Sequence, residues 1–142
     1  GDNSMSYVAD DTPEGVAHNY LLALRQADYA RAYGYLSPTL AGYPASADAF
    51  AGEVYKFDWN FRVGDSSVTL EVTSARVTGE RAIVSVRERR FSEGGLFGSS
   101  ESTDTFNMTL QRDAAGLARA AWKIVASDSY WAWCWDDNAG CR

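Results

Sequence analysis

The stretch TPEGVAHNYLLALRQADYARAYGYLSP, residues 12–38, decides the fold. Thr12 is suited to cap a helix, Pro13 to its first position, and Glu14 to the positive end of its dipole. Val16, Tyr20, Leu21 and Leu24 then recur at helical spacing, predicting a first helix over about 13–27 with one apolar stripe. Asp28 can cap a second helix carrying Tyr29, Ala32, Tyr33 and Leu36. Ser37-Pro38 ends it, because a residue before proline avoids helical backbone angles.

Working outward, Gly42-Tyr43-Pro44 marks a loop, and Ser46 caps a third helix that buries Phe50, Val54 and Phe57. The period changes near residue 58. Trp59, Phe61 and Val63 alternate up to Gly64-Asp65, and Val68, Leu70 and Val72 alternate in a run reaching Thr78-Gly79-Glu80. Arg81–Phe91 reads as the next strand, Ser92–Ser102 as a Gly/Ser-rich loop, and Thr103–Arg112 as a further strand. Asp113–Gly116 is a turn. Trp122, Ile124 and Ala126 form the last strand, extended through Tyr130–Trp133 after a bend at Ser127–Ser129. Helices first and consecutive strands afterwards predict an α+β domain, three N-terminal helices packed on an antiparallel sheet. Residues 1–11 read as a flexible leader or linker, 12–135 as the domain, and 136–142 as a C-terminal tail.

The chain has 142 residues, enough for one domain with a real core. Its formal charge of −6 argues against nucleic acid and anionic membrane surfaces. No apolar run has the length of a membrane span. Arginine outnumbers lysine 11 to 2, as in a GC-rich bacterial genome. The chain opens on Gly1 rather than Met, so we expect an upstream signal or anchor to have been removed.

Cys134 and Cys141 are the only cysteines and His18 the only histidine, too few ligands for a structural zinc site, so neither metal nor cofactor is expected. The turn-forming Asp136-Asp137-Asn138 and Gly140 favour a local Cys134–Cys141 disulfide, the alternative being two free thiols. A disulfide places the protein outside a reducing cytoplasm.

The motif Tyr20, Ala23, Leu24, Ala27, Asp28, Tyr33, Leu36, Ser37 and Pro38 resembles the opening of nuclear-transport-factor-2-like domains, the cystatin-like cones. The strand order and Trp122-Lys123-Ile124-Val125 extend the likeness to about residues 12–126. The style is that of extracytoplasmic lipoproteins and of accessory domains of penicillin-binding transpeptidases. The resemblance implies a strongly curved, cone-like sheet, a pocket in the cone, and homodimerisation through the outer sheet face. By pattern, Tyr20, Tyr33, Phe50, Trp59 and Phe106 belong near that pocket. Tyr20 matches the position from which ketosteroid-isomerase relatives offer a phenol to a developing enolate. The acids that should accompany it are missing from the matching places, so Tyr20 reads first as a core aromatic and only second as a catalytic phenol.

His18 lies two positions from Tyr20 and faces elsewhere, without an orienting acid nearby in sequence. Arg87-Glu88-Arg89-Arg90 reads as an anion site or a solvated strand end. Gly94-Gly95-Leu96-Phe97-Gly98-Ser99-Ser100 lacks the Lys-Ser/Thr ending of a phosphate loop. Asn107-Met108-Thr109 fits a glycosylation sequon but falls inside a strand. Trp131, Trp133 and Trp135 would share one strand face, as a contact surface for a protein or glycan, or as a plug for the open end of the core.

These readings predict a non-catalytic extracytoplasmic binding or accessory domain of a bacterial cell, meeting a small molecule or a cell-envelope protein. The alternative is a small-molecule isomerase or dehydratase using Tyr20.

Overall fold

The computed structural model describes residues 6–62, 65–94, 98–113 and 121–141. Three helices lie where their caps predict: α1 Pro13–Arg25, α2 Tyr29–Tyr33 and α3 Ala47–Lys56. Thr12 accepts from the Gly15 N–H at 3.0 Å, Asp28 from Arg31 at 3.2 Å, and Ser46 from Ala49 at 3.0 Å. Between α1 and α2 the chain turns through Ala27 at φ 58°. The Asp28 N–H reaches the Ala23 carbonyl at 2.8 Å, and that of Ala27 reaches Leu24 at 3.1 Å. This is a left-handed C-terminal cap, with alanine where glycine is usual.

The expected strand at Trp59–Val63 is replaced by a helical turn, α4, Asp58–Phe61. Phe61 is buried beneath it while Trp59 stands outside, so the alternation comes from a short helix packed at one position. Val63 and Gly64 lie outside the described residues.

Four strands follow, β1 Val68–Thr78, β2 Arg81–Glu93, β3 Ser99–Asp113 and β4 Ala121–Ser127, paired antiparallel in the order β1-β2-β3-β4. The β2–β3 ladder runs on to Glu93↔Ser99, so most of the expected Gly/Ser loop is strand. Gly95–Phe97 and Ala114–Ala120, including most of the Asp113–Gly116 turn, lie outside the described residues. Register breaks at Val72/Ser74 and Thr109/Leu110 bend the sheet, which is curved around the helices. The free edge of β4 is covered by Tyr35–Ser37, through a 3.0 Å bond from Ser37 to Ile124 and a 2.9 Å bond from Ile124 to Tyr35.

The concave face buries Val68 and Leu70, Ala82, Val84 and Val86, Phe106, Met108 and Leu110, and Trp122 and Ile124. Against it lie Val16, Tyr20, Leu21 and Leu24 of α1, Phe50 and Val54 of α3, and Phe61 of α4. The segment 6–11 runs along α1. Asn19, fully buried, accepts from the Val8 N–H at 2.9 Å and donates to the Val8 carbonyl at 2.7 Å, and His18 donates to the Ser6 carbonyl at 2.8 Å. The Arg31 guanidinium lies 3.6 Å from the Tyr7 ring centroid. Residues 1–5 of the expected leader lie outside the described residues.

The C-terminal segment is not a strand extension. After β4 it bends through Tyr130 at φ 60° and closes as a 3-10 helix, Trp133–Asp136. Cys134 is bonded to Cys141, with Cα atoms 5.1 Å apart. Trp131, Trp133 and Trp135 therefore share no face. Trp131 and Trp135 are buried and only Trp133 is exposed, which corrects the expectation of a three-tryptophan contact surface. The physical reason is the period: within the 3-10 helix, at three residues per turn, Trp133 and Trp135 point apart, and Trp135 turns inward beside Trp131.

Candidate functional site

The mouth of the cone is filled by the chain itself. Trp135 stacks on Phe50 at 5.3 Å between centroids and meets Trp131 edge-on at 4.8 Å, while Phe106 tilts against Tyr130 at 5.7 Å. Five surface recesses of 260–460 Å³ stand out, and none is lined by Tyr20, Tyr33, Phe50 or Phe106. Tyr20 and Phe50 are core residues, and Tyr33 is half-buried with its hydroxyl donated to the Pro44 carbonyl at 2.5 Å. Of the five residues expected near a pocket, only Trp59 lines one of these recesses, at the joint of α4 with the C-terminal segment.

The interior does contain an acid, which sequence reasoning placed at a strand end. Glu88 continues the inward alternation Ala82-Val84-Val86 of β2, and its side chain is 4% exposed. One carboxylate oxygen takes Arg62 Nη1 at 2.5 Å and Arg90 Nη2 at 3.0 Å, and the other takes the Tyr130 hydroxyl at 2.5 Å. Burial alone would raise the Glu88 pKa. The hydrogen bonds from Tyr130, Arg90 and Arg62, with the Arg62 charge, outweigh it and hold the carboxyl below its ordinary value. Burial and the adjacent carboxylate push the Tyr130 phenol up. A saturated carboxylate with a lowered pKa is a poor general base.

Among the described residues, Tyr20 is joined to this cluster through the backbone of Tyr130 alone. Its hydroxyl donates to the Tyr130 carbonyl at 2.7 Å, and burial keeps the phenol neutral by raising its pKa well above the usual value. The donor that an enolate would need is already spent. The basic run Arg87–Arg90 is divided between two faces: Arg87 pairs outward with Glu71 at 3.1 Å, and Arg90 turns back to Glu88. The period-two alternation from Ala82 carried the signal for Glu88, but the flanking arginines masked it.

Outside the cone, α4 and the C-terminal segment meet at a joint. The Tyr130 N–H reaches the Asn60 carbonyl at 3.2 Å, and the Asn60 side-chain amide donates to the Trp131 carbonyl. The joint leaves a recess of about 260 Å³ lined by Phe57, Trp59, Asn60, Ser127, Asp128, Trp131, Trp133 and Asp136. Trp59 is 70% exposed and Trp133 65%. No group of three or more His, Cys, Asp or Glu side chains that could hold a metal exists among the described residues. No helix among them is long and apolar enough to cross a membrane.

No family model and no curated protein matches the chain. Among solved structures it is similar to a chain from Thiobacillus denitrificans ATCC 25259, provisionally described as a calcium/calmodulin-dependent protein kinase type II association domain. The identity is 13% and the TM-score 0.53, over 82% of this chain and 91% of that one. At that identity the likeness shows the fold alone, helices against a curved antiparallel sheet.

Proposed function

We propose that the chain is a non-catalytic extracytoplasmic binding or accessory domain of the nuclear-transport-factor-2-like superfamily, in a bacterial cell envelope. The observation that carries this reading is the committed Tyr20 hydroxyl: the one residue aligned with a known chemistry has no free donor and no access to solvent. The Cys134–Cys141 bond supports an oxidising location. With the cone occupied by its own aromatics, binding is assigned to the surface, to a small molecule or a cell-envelope partner.

Two measurements test the reading. Incubating the protein with an enolisable ketone in heavy water should give deuterium incorporation at the buffer rate. Incorporation above that rate, lost in Tyr20→Phe, would restore the isomerase reading. Maleimide added to intact source cells and then to denatured lysate should leave Cys134 and Cys141 unlabelled until a reductant is added; labelling without it would refute the extracytoplasmic assignment.

A further inference from the structure

We infer that the recess between α4 and the C-terminal segment binds an alkylammonium cation, seated between the Trp59 and Trp133 indoles and facing Asp128 and Asp136. The inference rests on the reading of the chain as a binding domain and names the ligand chemistry of one surface.

Three observations converge. First, neither indole makes a hydrogen bond, ring contact or cation contact among the described residues, although both are largely exposed. Exposed indole faces are the strongest side-chain partners for organic cations. Second, the charged side chains that line the recess are both carboxylates. Asp128 uses one carboxylate oxygen to accept from the Asn107 N–H at 3.0 Å, and Asp136 uses one to accept from Trp131 Nε1 at 3.1 Å. The second oxygen of each has no partner among the described residues, and none of the lining residues is Lys, Arg or His. Lys56 lies beside the recess, its ammonium 5.7 Å from the Phe57 centroid, on the one lining ring with a cation already near it.

Third, the other side-chain donor groups at the recess are engaged, which leaves the Trp59 and Trp133 indole N–H groups as its open ones. One Asn60 amide N–H is given to the Trp131 carbonyl, the Trp131 indole N–H to Asp136, and the Ser127 hydroxyl to the Ser129 carbonyl at 2.6 Å. The two open carboxylate oxygens and the indole faces are what a cation needs, and a sugar is the competing ligand that the test separates. A volume of about 260 Å³ suits a head group rather than a drug-sized ligand. The walls are held by the Asn60 clamp and by the disulfide, so the site is preorganised.

The test is a titration of the full oxidised chain with choline and with its uncharged isostere 3,3-dimethylbutan-1-ol, read from the indole N–H resonances. Choline should saturate and move the Trp59 and Trp133 signals, with the neutral isostere at least about fivefold weaker. Asp128→Asn with Asp136→Asn keeps both accepted hydrogen bonds, removes the charge, and should weaken choline by about tenfold. Trp133→Ala should weaken it similarly. A primary ammonium probe, Nα-acetyl-lysine methylamide, separates a side-chain source from a quaternary one. Equal binding of the neutral isostere, unchanged choline affinity in the isosteric Asn variant, or no saturable shift below about 100 mM overturns the inference. Saturable binding of N-acetylglucosamine without choline binding also overturns it, yet leaves the binding-domain reading standing. That reading fails separately, in the deuterium-exchange assay.

Discussion

The Tyr20 hydroxyl and the Tyr130 carbonyl, 110 positions apart in sequence, are joined by a 2.7 Å hydrogen bond inside the core. Tyr130 holds φ 60°, a left-handed conformation that costs a non-glycine residue energy unless its surroundings impose it. Tyr20 imposes it from α1, and Asn60 from α4. Tyr20→Phe leaves a buried carbonyl unmatched and should lower stability by about 1–3 kcal/mol in urea unfolding. A loss under about 0.5 kcal/mol would show that the bond is replaced.

Glu88 ties the same residue from its side chain. Because its folded pKa is lowered, its contribution is fully present above the ordinary carboxylate range and is lost as pH falls through the folded value. The melting temperature of the wild type should therefore drop on acidification below about pH 4.5, and Glu88→Gln should flatten that limb. At neutral pH the variant should be less stable by about 2–4 kcal/mol, since Arg62 and Arg90 lose the negative charge they share and one accepting oxygen becomes an amide donor. An unchanged acid limb would remove Glu88 from the account.

Ala27 turns the corner between α1 and α2 at φ 58°. A left-handed alanine costs about 1–2 kcal/mol. Ala27→Gly relieves that strain while adding freedom to the unfolded chain, so a net gain of up to about 1 kcal/mol is expected in thermal unfolding. A destabilised variant would mean that the methyl group packs.

Gly42 sits where the C-terminal segment docks, its N–H donating to the Trp135 carbonyl at 2.8 Å. A Cβ there would overlap the Cys134 carbonyl oxygen and lie 2.6 Å from that of Asp137. Gly42→Ala should cost about 1–3 kcal/mol and expose Trp135, visible as a red-shifted fluorescence. Reducing the disulfide should cost about 2–3 kcal/mol, since the closed loop is short. Native fluorescence and stability in Gly42→Ala would show that the segment docks elsewhere.

The helix caps were legible because each is a local event: a hydroxyl or carboxylate three residues before the N–H it accepts. The β-strands were legible from alternation, apart from the ladder that runs into the expected Ser92–Ser102 loop and two misreadings of one kind. Trp59-Asn60-Phe61 alternates, yet it is a helical turn, since a four-residue element has too few positions to separate a period of two from one near four. The Trp131-Ala132-Trp133-Cys134-Trp135 alternation misled in the same way, where a 3-10 turn pinned by the disulfide took the place of a strand. Glu88 could have been found from Ala82, Val84 and Val86, but a carboxylate between arginines reads as surface until its partners are seen.

By itself the sequence determined what depends on neighbours a few residues apart: three capped helices, antiparallel strands after them, an α+β domain, and a cysteine pair near enough to bond. Tertiary structure alone decided which aromatics are core and which are surface, and whether the cone holds a ligand or its own side chains. Those outcomes hang on the return of residues 130–141 across α3 and α4, where Trp135 meets Phe50 and Glu53, Tyr130 meets Glu88, and Trp133 is left in water beside Trp59. Burial is a property of what lies opposite in space, and no local period encodes that.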